Sequence, residues 1–202
     1  MHILVTRPEP FASQASQILI KRGHQVTKVP LLNVKHHPIP ENLTPQTFDA
    51  CVITSYQTLL TPGLERFKHL PLWAVGQKEK FIEAGWQNIQ TFPDVKTLTQ
   101  NMPLHKKWIY LRGYFISQKI RAPRITEHTC YTTQPIQGWP QDIPWSKLDA
   151  VMLMSQKTAQ TFMEITPPHL VQNLIALCHS QAIAEVVASW PWKSLHIGTI
   201  TT

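Results

Sequence analysis

The chain has 202 residues, 43% of them hydrophobic and 15% charged, and a formal net charge of +7. Such a composition supplies a packed core and excludes low-hydrophobicity disorder; no apolar run of about 18 residues offers a membrane span, and no signal-peptide layout opens the chain. The basic excess suits an anionic partner, yet it is scattered and carries no nucleic-acid recognition pattern.

Residues 2–6 (HILVT) read as a short apolar strand. Pro8-Glu9-Pro10 breaks it and opens a helix, on which Ala12, Ala15, Ile18 and Leu19 recur at helical spacing before Gly23. Val26 to Val29 is the next strand, completing a β-α-β unit. Pro30 to Pro38 is extended and linker-like. Asp49 to Ser55 is a buried strand ending in two hydroxyl residues. A helix carrying Leu59, Leu60 and Leu64 follows, interrupted at Pro62. Leu72 to Val75 is a strand, Lys78 to Ala84 a helix, and Asn88 to Phe92 a strand. The pattern then restarts. Trp108 to Leu111 is a strand ended by Arg112-Gly113, and a short helix is expected over 114–120. Ile125 to Tyr131 is extended and runs into a second linker-like stretch, Thr132 to Gly138. Asp149 to Ser155 is a buried strand, with a helix bearing Ala159, Phe162 and Met163 after it. Leu174 to Cys178, Ala182 to Ala188 and Ser194 to Ile197 are strand, helix and strand.

Strands alternating with helices at these lengths define the α/β class, with parallel sheets. The order also repeats. Asp49-Ala50 and Asp149-Ala150 each open an apolar strand, and Ser55 and Ser155 each close it, 100 residues apart. Arg7 and Arg112 follow opening strands; Trp86 and Trp192 precede terminal ones. Four matches in one order indicate a duplication, with a functional site expected in a cleft between two small domains.

Ligands of open α/β sheets bind beyond the carboxyl ends of the strands. That rule selects Arg7, Thr54-Ser55, Gly76-Gln77, Arg112-Gly113, Ser155-Gln156-Lys157 and Cys178-His179-Ser180. Hydroxyls, helix-start amides and basic side chains are groups that bind anions. The same serines and threonines also serve simply as helix caps, and the arginines as surface charge. Carboxylates are nearly absent from the set, so paired-acid hydrolysis and metal-assisted chemistry lack their usual residues. Ten histidines and three cysteines show no metal-ligand or redox spacing, and no GxSxG, GxGxxG or Walker sequence occurs.

Several segments, in order, resemble uroporphyrinogen-III synthases. ILVTRPEP (3–10) is similar to the family's opening strand and turn, and RGHQVTKVPLL (22–32) to its first G-h-x-V…P-h-h segment. FDACVITS (48–55) resembles F-D-x-h-h-F-T-S, and WAVGQKEKFIEAGW (73–86) resembles the V-G-x-x-T-A helix. IYLRG (109–113), TCYTTQP (129–135) and LDAVMLMSQKTAQTF (148–162) continue the likeness. The resemblance implies two small parallel-sheet α/β domains joined by a two-stranded linker. Residues 1–34 with 137–202 would form one domain and residues 35–136, linker strands included, the other. It implies a lyase of haem and tetrapyrrole synthesis that cyclises hydroxymethylbilane to uroporphyrinogen III. The last ring is inverted and water is lost, without cofactor or metal. Tyr131 aligns with the tyrosine assigned as acid. Arg7, Thr54, Ser55, Gly76, Gln77, Arg112, Gly113, Ser155 and Ser180 would bind the polycarboxylate substrate. A cytoplasmic monomer without nucleic-acid or membrane partners is expected; a non-catalytic binding protein for an anionic metabolite is the alternative. The chain departs from the family at LCHSQAIA (177–184), where Cys178 replaces a glycine and Gln181 a threonine. Glu79 stands where threonine is usual, the helix after Gly113 is short, and the final helix after Ile197 is missing.

Overall fold

The computed structural model describes residues 1–116, 118–140 and 142–198. Its regular elements are β1 (His2–Val5), α1 (Phe11–Lys21), β2 (Gln25–Lys28), β3 (Leu32–His36), β4 (Ala50–Ile53), β5 (Leu72–Val75), α2 (Lys78–Glu83), β6 (Ile89–Phe92), α3 (Val95–Asn101), β7 (Trp108–Gly113), β8 (Ile125–Pro135), β9 (Ala150–Leu153), α4 (Gln156–Ile165), β10 (Ile175–Cys178), α5 (Gln181–Val187) and β11 (Ser194–Ile197). Residues 1–34 and the described residues from 134 onward form one compact unit, and residues 35–133 the other.

The first unit holds a parallel sheet in the order β11-β10-β9-β1-β2. Its central strands are apolar at every position but His2, because both faces are covered. Leu4, Val151 and Leu153 point into a core shared with Phe162 of α4 and Ile183 and Val187 of α5. Ile3, Val5, Ala150 and Met152 point the other way, onto Ala12, Ala15 and Leu19 of α1. The second unit's sheet runs β8-β7-β4-β5-β6, also parallel, with β3 added beside β8. Cys51, Ile53, Ile109 and Leu111 face one core with Phe67, Phe81 and Trp86. Ala50, Val52, Trp108 and Tyr110 face a second, built around Trp73 and Leu98. The linker strands follow chain reversal. In the first unit the Ile136 amide donates to the Leu31 carbonyl, and in the second His37 donates to Cys130.

Three expectations change. The helix expected around Leu59 to Leu64 is two 3₁₀ turns, Tyr56–Leu60 and Leu64–Phe67. Pro62 bars its predecessor from helical geometry, and Thr61 is extended at ψ 126°. No helix forms over the described residues of 114–120 (Ser117 lies outside them). Arg112 Nη1 donates to the Gly113 and Tyr114 carbonyls, the acceptors that a first helical turn would need. An unexpected helix, α3, is nucleated by Asp94, whose carboxylate accepts from the Thr97 amide at 2.7 Å. The last expected strand is present as β11, while residues 199–202 lie outside the described residues.

Candidate functional site

In a doubly wound sheet the crevice opens where strand order reverses. In the second unit that point lies between β4, which leads on to β5 and β6, and β7, which leads to β8. Extended backbone carries β4 into Thr54 and Ser55, so their side chains leave on opposite faces. On one face Thr54 Oγ1 lies 2.8 Å from the Tyr110 hydroxyl. On the other, the Tyr131 hydroxyl donates to Ser55 Oγ at 2.9 Å, and Ser55 also accepts from the Gln57 amide. Burial raises the pKa of both tyrosines; the Ser55 bond opposes the shift at Tyr131, as the Thr54 bond does at Tyr110. Both phenols therefore keep their protons at neutral pH.

Gly113 makes room for Tyr131. A β-carbon there would lie 2.5 Å from the tyrosine Cζ and 2.7 Å from its hydroxyl. The sheet register shifts between Arg112 and Gly113, setting Gly113 opposite Tyr131. Arg112 is committed nearby: Nε pairs with Glu127 at 2.7 Å, and Nη1 holds two carbonyls. Glu127 holds the Nε side of the guanidinium, so a ligand carboxylate would approach from Nη2 or displace Glu127. Gly76 and Gln77 follow β5. Gly76 has φ +125°, a β-carbon there would collide with the Tyr56 hydroxyl, and that hydroxyl accepts from the Gln77 amide.

The reversal point of the first unit lies between β1 and β9. Thr6 crosses it, donating to the Met152 carbonyl at 2.6 Å. Arg7 follows, half-buried, its guanidinium carbon 5.2 Å from the Phe11 ring centre. Burial and the Arg7 charge lower the pKa of His179, at the end of β10. Ser155 caps α4, accepting from the Thr158 amide at 3.1 Å, and Gln156 reaches the Ala182 carbonyl. Ser180 precedes α5 without a side-chain capping bond.

The structure thus gathers Thr54, Ser55, Arg112, Gly113 and Tyr131 at one strand-end cluster, with Gly76 and Gln77 at the neighbouring strand. Arg7, Ser155 and Ser180 share the strand ends of the other unit. Sequence reasoning missed Thr6, reachable by the same strand-end rule, Tyr110, which sits inside β7, and Glu127, whose partnership depends on register. Among the described residues no three His, Cys, Asp or Glu side chains gather as metal ligands, and no helix is long and apolar enough to cross a membrane.

These features define a two-unit, parallel-sheet α/β protein with hydroxyls, amides and cations at the carboxyl ends of its reversal-point strands. The sequence model of uroporphyrinogen-III synthase HemD matches residues 13–199, and the chain belongs to that family, a lyase family of tetrapyrrole synthesis. The matched span holds every candidate residue except Arg7. A mutant uroporphyrinogen III synthase from the extremely thermophilic bacterium Thermus thermophilus has a similar structure, with TM-score 0.58 at 14% identity, covering 100% of this chain and 94% of that one. Two further structures of the Thermus thermophilus enzyme align at TM-scores 0.42 and 0.43, with 16% and 15% identity. They cover 99% and 98% of this chain and 94% and 92% of theirs. No curated protein sequence matches the chain.

Proposed function

We propose that this chain converts hydroxymethylbilane to uroporphyrinogen III, with Tyr131 as the acid that assists loss of the hydroxyl group. The observation that carries the role is the half-buried phenol held on Ser55 at the reversal point of the second unit. The family supplies the reaction. The hydroxymethyl oxygen takes a proton and leaves as water, driven by the electron-rich pyrrole that bears it. The methylene carbon so freed bonds to the substituted α-carbon of the last ring; that carbon's bond to its old bridge breaks, and the bridge bonds to the ring's free α-carbon, which gives up its proton, the protein holding the chain folded for this exchange. A weak acid suffices, and a protonated tyrosine supplies one over the whole neutral range.

Eight substrate carboxylates ask for charge-assisted donors. Arg7, Thr54, Ser55, the Gly76-Gln77 amides, Arg112, Gly113, Ser155 and Ser180 are assigned to that surface. The reading includes a monomer acting in the cytoplasm on a small molecule, without cofactor, membrane or nucleic-acid partner.

The test is isomer analysis of purified protein supplied with enzymatically made hydroxymethylbilane. Type III product supports the reading; type I alone, the spontaneous outcome, overturns it. Tyr131→Phe should lower kcat about 100-fold while the fold persists. Full activity in that variant removes the acid role and leaves the reaction assignment standing.

A further inference from the structure

Immediately beyond Gly113 the chain presents two large aromatic side chains to solvent, Tyr114 at 64% and Phe115 at 59% exposure. Their rings meet edge to face, 5.7 Å between centres and 78° between planes. Neither enters a buried cluster of the second unit. A lone exposed aromatic is ordinary; an adjacent pair beside a reactive group marks an interaction site.

The backbone beneath the pair is held from two sides. The Tyr114 amide donates to the Tyr131 carbonyl at 2.8 Å, and Arg112 Nη1 donates to the Tyr114 carbonyl at 3.0 Å. The Tyr114 backbone is thus tied to that of the residue assigned as acid and to the arginine at the same strand end. Tyrosine and phenylalanine each have only two side-chain torsions, so holding them against a ligand costs little entropy. Such a perch offers ring faces and edges, a complement to a flat heteroaromatic ring.

We infer that Tyr114 and Phe115 seat one pyrrole ring of the linear tetrapyrrole and fix its position against the Tyr131 hydroxyl, an inference that rests on the synthase reading. The amides and cations of the site hold the substrate's carboxylate arms; the aromatic pair holds a ring. It is a substrate-positioning contact supplied by a segment whose sequence suggests a helix.

The experiment compares wild type, Tyr114→Phe and the double variant Tyr114→Ala/Phe115→Ala, with hydroxymethylbilane as substrate and product isomers resolved. Both side chains are exposed, so the double variant should keep its fold, checked by circular dichroism and its urea midpoint. The expected result is a KM raised about tenfold in the double variant, a kcat for type III product lowered about tenfold, a larger share of type I product, and near-normal behaviour of Tyr114→Phe. An unchanged KM and isomer ratio in the double variant, beside an active wild type, overturns the perch alone. A wild type that yields only type I product overturns the synthase reading and the perch with it.

Discussion

Gly113→Ala tests the site through its tightest contact. The added β-carbon would meet two ring carbons and the hydroxyl oxygen of Tyr131 at 2.5 to 2.8 Å, well inside the 3.4 Å of ordinary contact. The tyrosine backbone has little freedom to move, because its carbonyl holds Tyr114 and its strand is paired to β7. The ring must therefore swing by about 1 Å, which draws the hydroxyl beyond bonding distance of Ser55. Overpacking of this kind costs about 1–3 kcal/mol, and a 1 Å displacement of a reacting group costs about 100-fold in rate. Urea melts with unchanged slope would read the first, and kcat for type III product the second. In a Tyr131→Ala background the space is open, and the same substitution should become neutral or stabilising by up to about 1 kcal/mol, since alanine restricts the unfolded chain more than glycine. That reversal of sign is the specific expectation. Equal costs in the two backgrounds, or a Gly113→Ala protein with wild-type kcat, would refute the packing argument.

Asp49→Ala and Asp149→Ala should each destabilise by about 1 kcal/mol in urea melts, because each carboxylate accepts a backbone amide across a sheet, from Lys107 and His2 respectively at 2.7 Å; a clear effect at only one site would refute their equivalence. The two serines should separate. Ser155→Ala loses a helix cap and about 1 kcal/mol with little change in kcat, whereas Ser55→Ala removes the Tyr131 acceptor and should lower kcat several-fold; the opposite pattern defeats the assignment. Alkaline pH should weaken the fold. Burial pushes the Cys130 and Cys178 thiols up to about 11 from 9.0, and raises Tyr110 and Tyr131. Above pH 9 the native state then binds more protons than the unfolded chain, so this contribution is complete below pH 9 and is lost between 9 and 11. A urea midpoint that stays flat over that range contradicts it.

Most periodic elements were readable from the chain alone, although α3 was missed despite its Asp94 cap. Every expected strand exists, because apolar runs such as ACVI and AVML are covered on both faces and admit no other residues. Ser55 and Tyr131 were reachable as a strand-end hydroxyl and a resemblance, but the bond joining them was not, since residues 76 apart meet only through register. Tyr110 was hidden by its own strand: WIYLRG reads as core, and Tyr110 is 1% exposed, yet its hydroxyl reaches Thr54. Arg112 read as a free cation because Glu127 lies diagonally across β7 and β8, a neighbour that linear spacing cannot show.

The duplication takes its clearest form in the sheets. Read β2-β1-β9-β10-β11 against β8-β7-β4-β5-β6, and each strand of one sheet has its counterpart in the other. Each sheet then combines the opening strand pair of one sequence half with the closing triplet of the other. The registers agree residue by residue: Ala150 pairs with Ile3 as Ala50 pairs with Trp108. The repeated aspartates clamp equivalent strand starts, and the repeated serines begin equivalent turns. A shared scaffold explains those matches without any reaction. The differences lie at the carboxyl ends. Arg7 lies by the Phe11 ring and influences His179, while its counterpart Arg112 is locked to Glu127 beneath an exposed aromatic pair. Pro8 stands where Gly113 admits the Tyr131 ring. The duplication built two equal platforms, and the proposed acid occupies the one whose strand end has the glycine.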